Sequence, residues 1–181
     1  MIATKPNYID IMSTYWPDIA VSASDPYNYD SLVLNDPENQ VLPTKEELDA
    51  KLIYILRKTV WKEIMDMRDA RRQGGVKIGS NWFHSDDTSR IQQIALTIMG
   101  ASMPAGIMWK TMQGTFVPMT PTLAGQIFQT IAGSDKYVYA VAENHRQNMI
   151  LSETPDTYDY TTGWPMVYSE SPEAAALVDY Q

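Results

Sequence analysis

The run Gly74-Gly75-Val76-Lys77-Ile78-Gly79-Ser80-Asn81-Trp82-Phe83-His84-Ser85-Asp86-Asp87-Thr88-Ser89-Arg90 decides the fold. Val76 and Ile78 alternate with Lys77, and Gly79-Ser80-Asn81 supplies a turn that accepts positive φ. Trp82-Phe83 makes the return strand. A two-stranded hairpin is marginal alone in water, so Trp82 and Phe83 need a covering helix or further strands. Ser85 or Asp86 then caps a helix with Asp87 in its first turn. The apolar spacing gives that helix a buried face of Ile91, Ile94, Ala95, Ile98 and Met99. Arg90, Gln92, Gln93 and Thr97 fall on its wet side, and Gly100 closes it.

Upstream, Thr44-Lys45-Glu46-Glu47 is a capping box that opens a long helix. Leu48, Leu52, Ile55, Leu56, Val60, Ile64 and Met67 recur at steps of three and four, and no Gly or Pro interrupts them before Gly74. The helix is expected to run about 28 residues, roughly 42 Å. Arg68, Arg71 and Arg72 complement the dipole at its end. Downstream, Ile107–Met112, a Gln113-Gly114 turn and Thr115–Met119 read as a second hairpin, its second strand made an edge by Pro118. Thr120-Pro121 begins another helix, with Leu123, Ile127, Ile131, Val138, Val141 and Met149 on one stripe.

These elements define an α+β class: a long helix, a β-hairpin–helix, a second β-hairpin–long helix, and extended irregular N- and C-terminal arms. The division expected is 1–43 as an extended arm with short strands, 44–150 as an α+β core, and 151–181 as an acidic aromatic arm. Pro6, Pro17, Pro26, Pro37 and Pro43 punctuate the first arm and favour extended pieces joined by turns. The second arm, with Pro155, Pro165 and Pro172, keeps no period.

Charge follows the same division. The net charge of -8 is distributed as -5 over 1–43, +3 over 44–146 and -6 over 147–181. Neither nucleic acid nor an anionic membrane suits such a surface. With 0 Cys and 2 His, disulfides, thiolate metal sites and three-His metal sites are excluded. No charged and apolar leader opens the chain, so a secretory signal is not expected. The 11 Tyr and 5 Trp suit half-buried surfaces with one wet end. Those in the arms, Tyr15, Trp16, Tyr27, Tyr29, Tyr158, Tyr160, Trp164 and Tyr168, are the candidate partner-binding residues.

His84-Ser85-Asp86 spells the members of a hydrolase triad in a row. Triads converge in space, whereas three successive side chains point different ways. The run reads better as a strand end and a helix cap. A divalent site from His84, Asp86 and Asp87 has nothing distant spaced to complete it. His145, between Asn144 and Arg146, reads as a surface or partner-facing residue. The basic run from Arg57 to Lys77 reads as a solvated face or a seat for an acidic arm. Gly74-Gly75 and Gly79 lack the Gly-Lys-Ser/Thr ending of a phosphate loop. No catalytic residue, cofactor, metal or small-molecule substrate is expected.

The stretch Trp61-Lys62-Glu63-Ile64, Arg68-Asp69, Arg72, Gly75-Val76, Trp82-Phe83-His84-Ser85-Asp86, Ser89-Arg90 and Gln92 resembles a domain family of unassigned function in tailed bacteriophages. The resemblance continues through Met103-Pro104-Ala105-Gly106, Trp109-Lys110-Thr111, Phe116-Val117 and Ala124-Gly125-Gln126-Ile127-Phe128 to Ala142-Glu143-Asn144-His145-Arg146, about half the chain. It implies a virion tail or its assembly, in a protein made in the host cytoplasm. The expected function is that of a structural accessory docking on a tail fibre or baseplate protein, with self-association as a further contact. The alternative is a tail-fibre assembly chaperone that does not stay in the particle. The family carries no established catalytic residues, so none is transferred.

Overall fold

A computed structural model of the protein describes residues 5–178. In order they form α1 (Tyr8–Tyr15), β1 (Val21–Ala23), β2 (Leu32–Leu34), α2 (Lys45–Gln73), β3 (Val76–Ile78), β4 (Asn81–Phe83), α3 (Asp87–Met99), β5 (Met108–Lys110), β6 (Phe116–Pro118), α4 (Pro121–Leu151) and α5 (Pro172–Val178). The fold is α+β, and each sheet among the described residues is a two-stranded antiparallel hairpin, β1-β2, β3-β4 and β5-β6. From Thr44 to Leu151 the elements follow the order that the sequence predicts, whereas the C-terminal arm, expected to be irregular, holds α5, which starts with Pro172 at a position where proline is tolerated. No helix among the described residues is long and apolar enough to cross a membrane. Two compact units are present, Met1–Glu63 with Gln147–Tyr158 and Ile64–Arg146 with Asp159–Gln181. The first four residues of the expected N-terminal arm and the last three of the C-terminal one lie outside the described residues.

In the first unit, Tyr8, Ile11 and Met12 of α1 bury themselves with Leu32 of β2 and Leu48 of α2. The prolines here were read as leaving only strand and loop. The interval between Pro6 and Pro17 nevertheless holds α1, because proline breaks a helix only from inside it. Asn7 caps α1 in a capping box with Asp10. For α2, the Glu47 amide donates to Thr44 Oγ1 at 3.2 Å and the Thr44 amide donates to Glu47 Oε2 at 2.8 Å, the reciprocal pair that the motif requires.

In the second unit, β3 and β4 pair Val76 with Phe83, Lys77 with Trp82 and Ile78 with Asn81. Val76 and Phe83 join Met119, Ala124, Ile127 and Ile131 in one buried cluster. The segment from Asp159 onward packs within this unit through Val167, which is buried. Val167 lies so close to Gly74 that a Cβ there would be 2.2 Å from its Cγ1. The Tyr168 amide donates to Gly74 O at 2.8 Å. Arg71 pairs with Glu170, and Lys77 Nζ with Glu173 Oε1 at 2.6 Å. The basic end of α2 and strand β3 therefore do seat acidic residues.

One helix is turned the other way from its expected orientation. On α3, Ile91 is 69% and Ile98 80% exposed, with Ile94 and Met99 also exposed, while Gln93 is 1% exposed. The reason lies in backbone carbonyls. The end of α2 leaves Arg72 O without a helical donor, and the β4–α3 junction presents His84 O and Ser85 O. Buried carbonyls left unpaired would each cost on the order of 1–3 kcal/mol. Gln93 Nε2 donates to His84 O at 2.8 Å, and Arg90 donates to Ser85 O and to Arg72 O. Those needs turn the polar stripe inward; of the apolar side chains on α3, Leu96 packs on the core.

Candidate functional site

The hairpin–helix junction holds the residues with the most chemical potential, and each is bound into the backbone. Ser85 is 1% exposed. Its hydroxyl donates to Arg72 O at 2.7 Å and accepts the Gly75 amide at 2.9 Å. Gly75 sits at φ +90°, in the left-handed region. Asp86 is the N-cap of α3 and accepts the Ser89 amide at 3.0 Å and the Ser89 hydroxyl at 2.7 Å. The Ser89 hydroxyl first, and its amide next, hold the Asp86 carboxyl below the usual range. The His84 side chain lines a groove together with Ser89 and Gln92. A nucleophile needs a free hydroxyl beside a base, and the Ser85 hydroxyl is engaged on both sides.

Arg90 is the hub of the junction. Besides its two carbonyls it grips Asp135 of α4 in a fork, Nη1 to Oδ2 at 2.6 Å and Nη2 to Oδ1 at 2.9 Å. The two side chains are 16% and 22% exposed, a partly buried bidentate pair. Arg72 Nε lies 3.5 Å from the same carboxylate. Among the described residues, no group of three or more His, Cys, Asp or Glu side chains is placed to hold a metal ion.

The family model "Domain of unknown function (DUF4376)" matches residues 55–162, a span that contains this whole junction. The chain belongs to the DUF4376 family. No curated protein and no solved structure matches it.

Within the DUF4376 segment, His84, Ser89 and Gln92 face Met108, Trp109 and Lys110 across an open groove of about 430 Å³. Beside it run the outward residues of α3. These form the feature that sequence reasoning missed, because Ile91, Ile94, Ala95 and Ile98 were assigned to the core. A signal was present: Arg90, Gln93 and Thr97 also recur at steps of three and four, so α3 carries two competing stripes.

The eight candidate partner-binding aromatics are scattered. Tyr15 and Trp16 lie 6.2 Å apart on the first unit's cluster, with Lys51 Nζ 4.8 Å from the Tyr15 ring. The Tyr29 hydroxyl donates to Pro43 O at 2.9 Å. Tyr27 is 55% exposed. Tyr158 is half-buried in the first unit. Tyr160 O accepts from Trp164 Nε1 at 2.7 Å. Tyr168 packs 5.9 Å from Trp82. His145, expected at the surface, is buried: it stacks on Trp164 at 5.5 Å, with Nε2 2.8 Å from Thr162 O. The stretch holding Thr162 and Trp164 covers it, and nothing local in the helical pattern marks that.

Proposed function

We propose that the protein is a structural accessory of a bacteriophage tail, docking on a tail fibre or baseplate protein and acting by binding rather than turnover. The observation that carries the reading is the pairing of an occupied junction with an outward apolar face. Ser85 and Asp86 are consumed by backbone groups, while Ile91 and Ile98 face solvent. A protein that spends its polar chemistry internally and its apolar surface externally is suited to association. The resemblance of the Trp61–Arg146 pattern to a family of tailed phages is what supports the virion tail as the setting.

The test is quantitative mass spectrometry of purified particles of the phage that encodes the chain. Stoichiometric presence with the tail proteins supports the proposal. Absence from finished particles, together with co-purification with fibre protein before assembly, replaces it with an assembly chaperone. His84→Ala should leave particle assembly and infectivity unchanged; loss of infectivity with normal particles would instead point to an enzyme.

A further inference from the structure

We propose that the outward face of α3 is the contact between two copies of this chain, packed about a two-fold axis with their α3 helices antiparallel. Ile91, Ile94, Ala95 and Ile98 stand at i, i+3, i+4 and i+7, the seam that helix pairs use. Ala95 in its middle lets two backbones approach closely. The groove shared by Gln92 and Met108 joins this seam to the outer face of the β5-β6 hairpin. Met108 and Phe116 are exposed there by 51% and 61%.

Size and charge both choose a second copy as the occupant. Ile91, Ile94, Ile98, Met99, Met108 and Phe116, at roughly 100 Å² each, offer on the order of 600 Å² of apolar surface per copy. A stable interface buries about 800 Å² per partner, roughly 60% of it apolar, so the patch matches one protomer's share. The exposed residues of α3 from Ile91 to Met99 carry no charge, and on the hairpin the patch holds the cation Lys110, paired across from Phe116, and no acid. The whole chain carries net -8 and repels its own copies, which favours pairing through a face free of acidic side chains. Antiparallel packing sets Asp87 opposite the uncharged end of the partner's helix, so no like charges meet. An isologous contact of this kind closes at two. The pairing stands whether or not the protein is carried in a tail.

The experiment is sedimentation velocity on the full chain across the micromolar range, with circular dichroism and thermal unfolding as folding controls. Wild type should sediment as a dimer. Ile98→Asp and Ile91→Asp, each placing a carboxylate in the seam, should raise the dissociation constant on the order of a hundredfold with folding unchanged. Val41→Asp, at a position 81% exposed in the first unit, should remain dimeric. A wild type that stays monomeric throughout, an assembly of any other order, or seam variants as dimeric as wild type would each overturn the proposal.

Discussion

Replacing Arg90 by Met keeps much of the side-chain length and removes the guanidinium on which the junction converges. Three acceptors are affected: Asp135, Ser85 O and Arg72 O. Breaking a buried ion pair by deleting one partner costs about 3–5 kcal/mol. Asp135 is 22% exposed and keeps Arg72 Nε at 3.5 Å, which argues for the lower end, about 3 kcal/mol. Arg72 O retains the Ser85 hydroxyl, but Ser85 O loses its charged donor, adding about 1 kcal/mol. The expected loss of about 4 kcal/mol is a large part of the 5–15 kcal/mol that holds a typical domain together. Urea unfolding followed by tryptophan fluorescence reads it, since Trp82 is buried in the same unit. With a slope of about 2 kcal/mol/M the midpoint falls by about 2 M. Arg90→Lys should recover only part of the loss, because an ammonium cannot span the fork. A loss under about 1 kcal/mol for Arg90→Met would refute the assignment of Arg90 as the hub, on the scale of an ordinary surface change.

Ser85→Ala removes the hydroxyl that links Gly75 N to Arg72 O and should lower stability by about 1–3 kcal/mol in the same urea assay. Gly75→Ala forces a side chain to φ +90° and brings a Cβ to 2.3 Å from Met112 Sδ; the thermal midpoint should fall, consistent with a cost on the order of 1–3 kcal/mol. The hydrogen bond from Lys77 pulls the Glu173 carboxyl from 4.5 down to about 2. A depressed carboxyl stabilises above its unfolded value and loses that contribution as pH falls toward the folded one. The seating of α5 should therefore weaken between about pH 4.5 and about pH 2. The NMR resonances of Ala174 and Ala175 should follow that titration in the wild type and lose this step in Glu173→Gln.

Helix α2, both hairpins of the second unit and α4 were legible because several local rules agreed at each. Thr44 and Glu47 cap α2, Gly79 turns β3 into β4, and Thr120-Pro121 starts α4. Helix α1 was missed because proline spacing was weighed without asking what fits between two prolines. The orientation of α3 was illegible for a different reason. Apolar periodicity ranks side chains by their own transfer energy, yet here the deciding demand came from carbonyls of other segments, Arg72 O and His84 O. Only the assembled junction shows those acceptors. Of the His84-Ser85-Asp86 run, expected as a strand end and a cap, Asp86 is the cap, Ser85 has a bridging role, and His84 lies just past the strand, which ends at Phe83. The burial of His145 depends on Thr162 and Trp164, in a segment whose own sequence has no period to place it.

The orientation of α3 underlies both the occupied junction and the outward face, and one paired measurement tests it. Gln93→Leu and Ile98→Gln are compared by urea unfolding at protein concentrations dilute enough to keep copies apart. With the polar stripe inward, Gln93→Leu strands His84 O and costs about 1–3 kcal/mol. Ile98→Gln, at a site 80% exposed, stays within about 0.5 kcal/mol of wild type. The reverse outcome, a neutral or stabilising Gln93→Leu and an Ile98→Gln that loses about 2 kcal/mol or more, would place the isoleucines in the core and contradict the account.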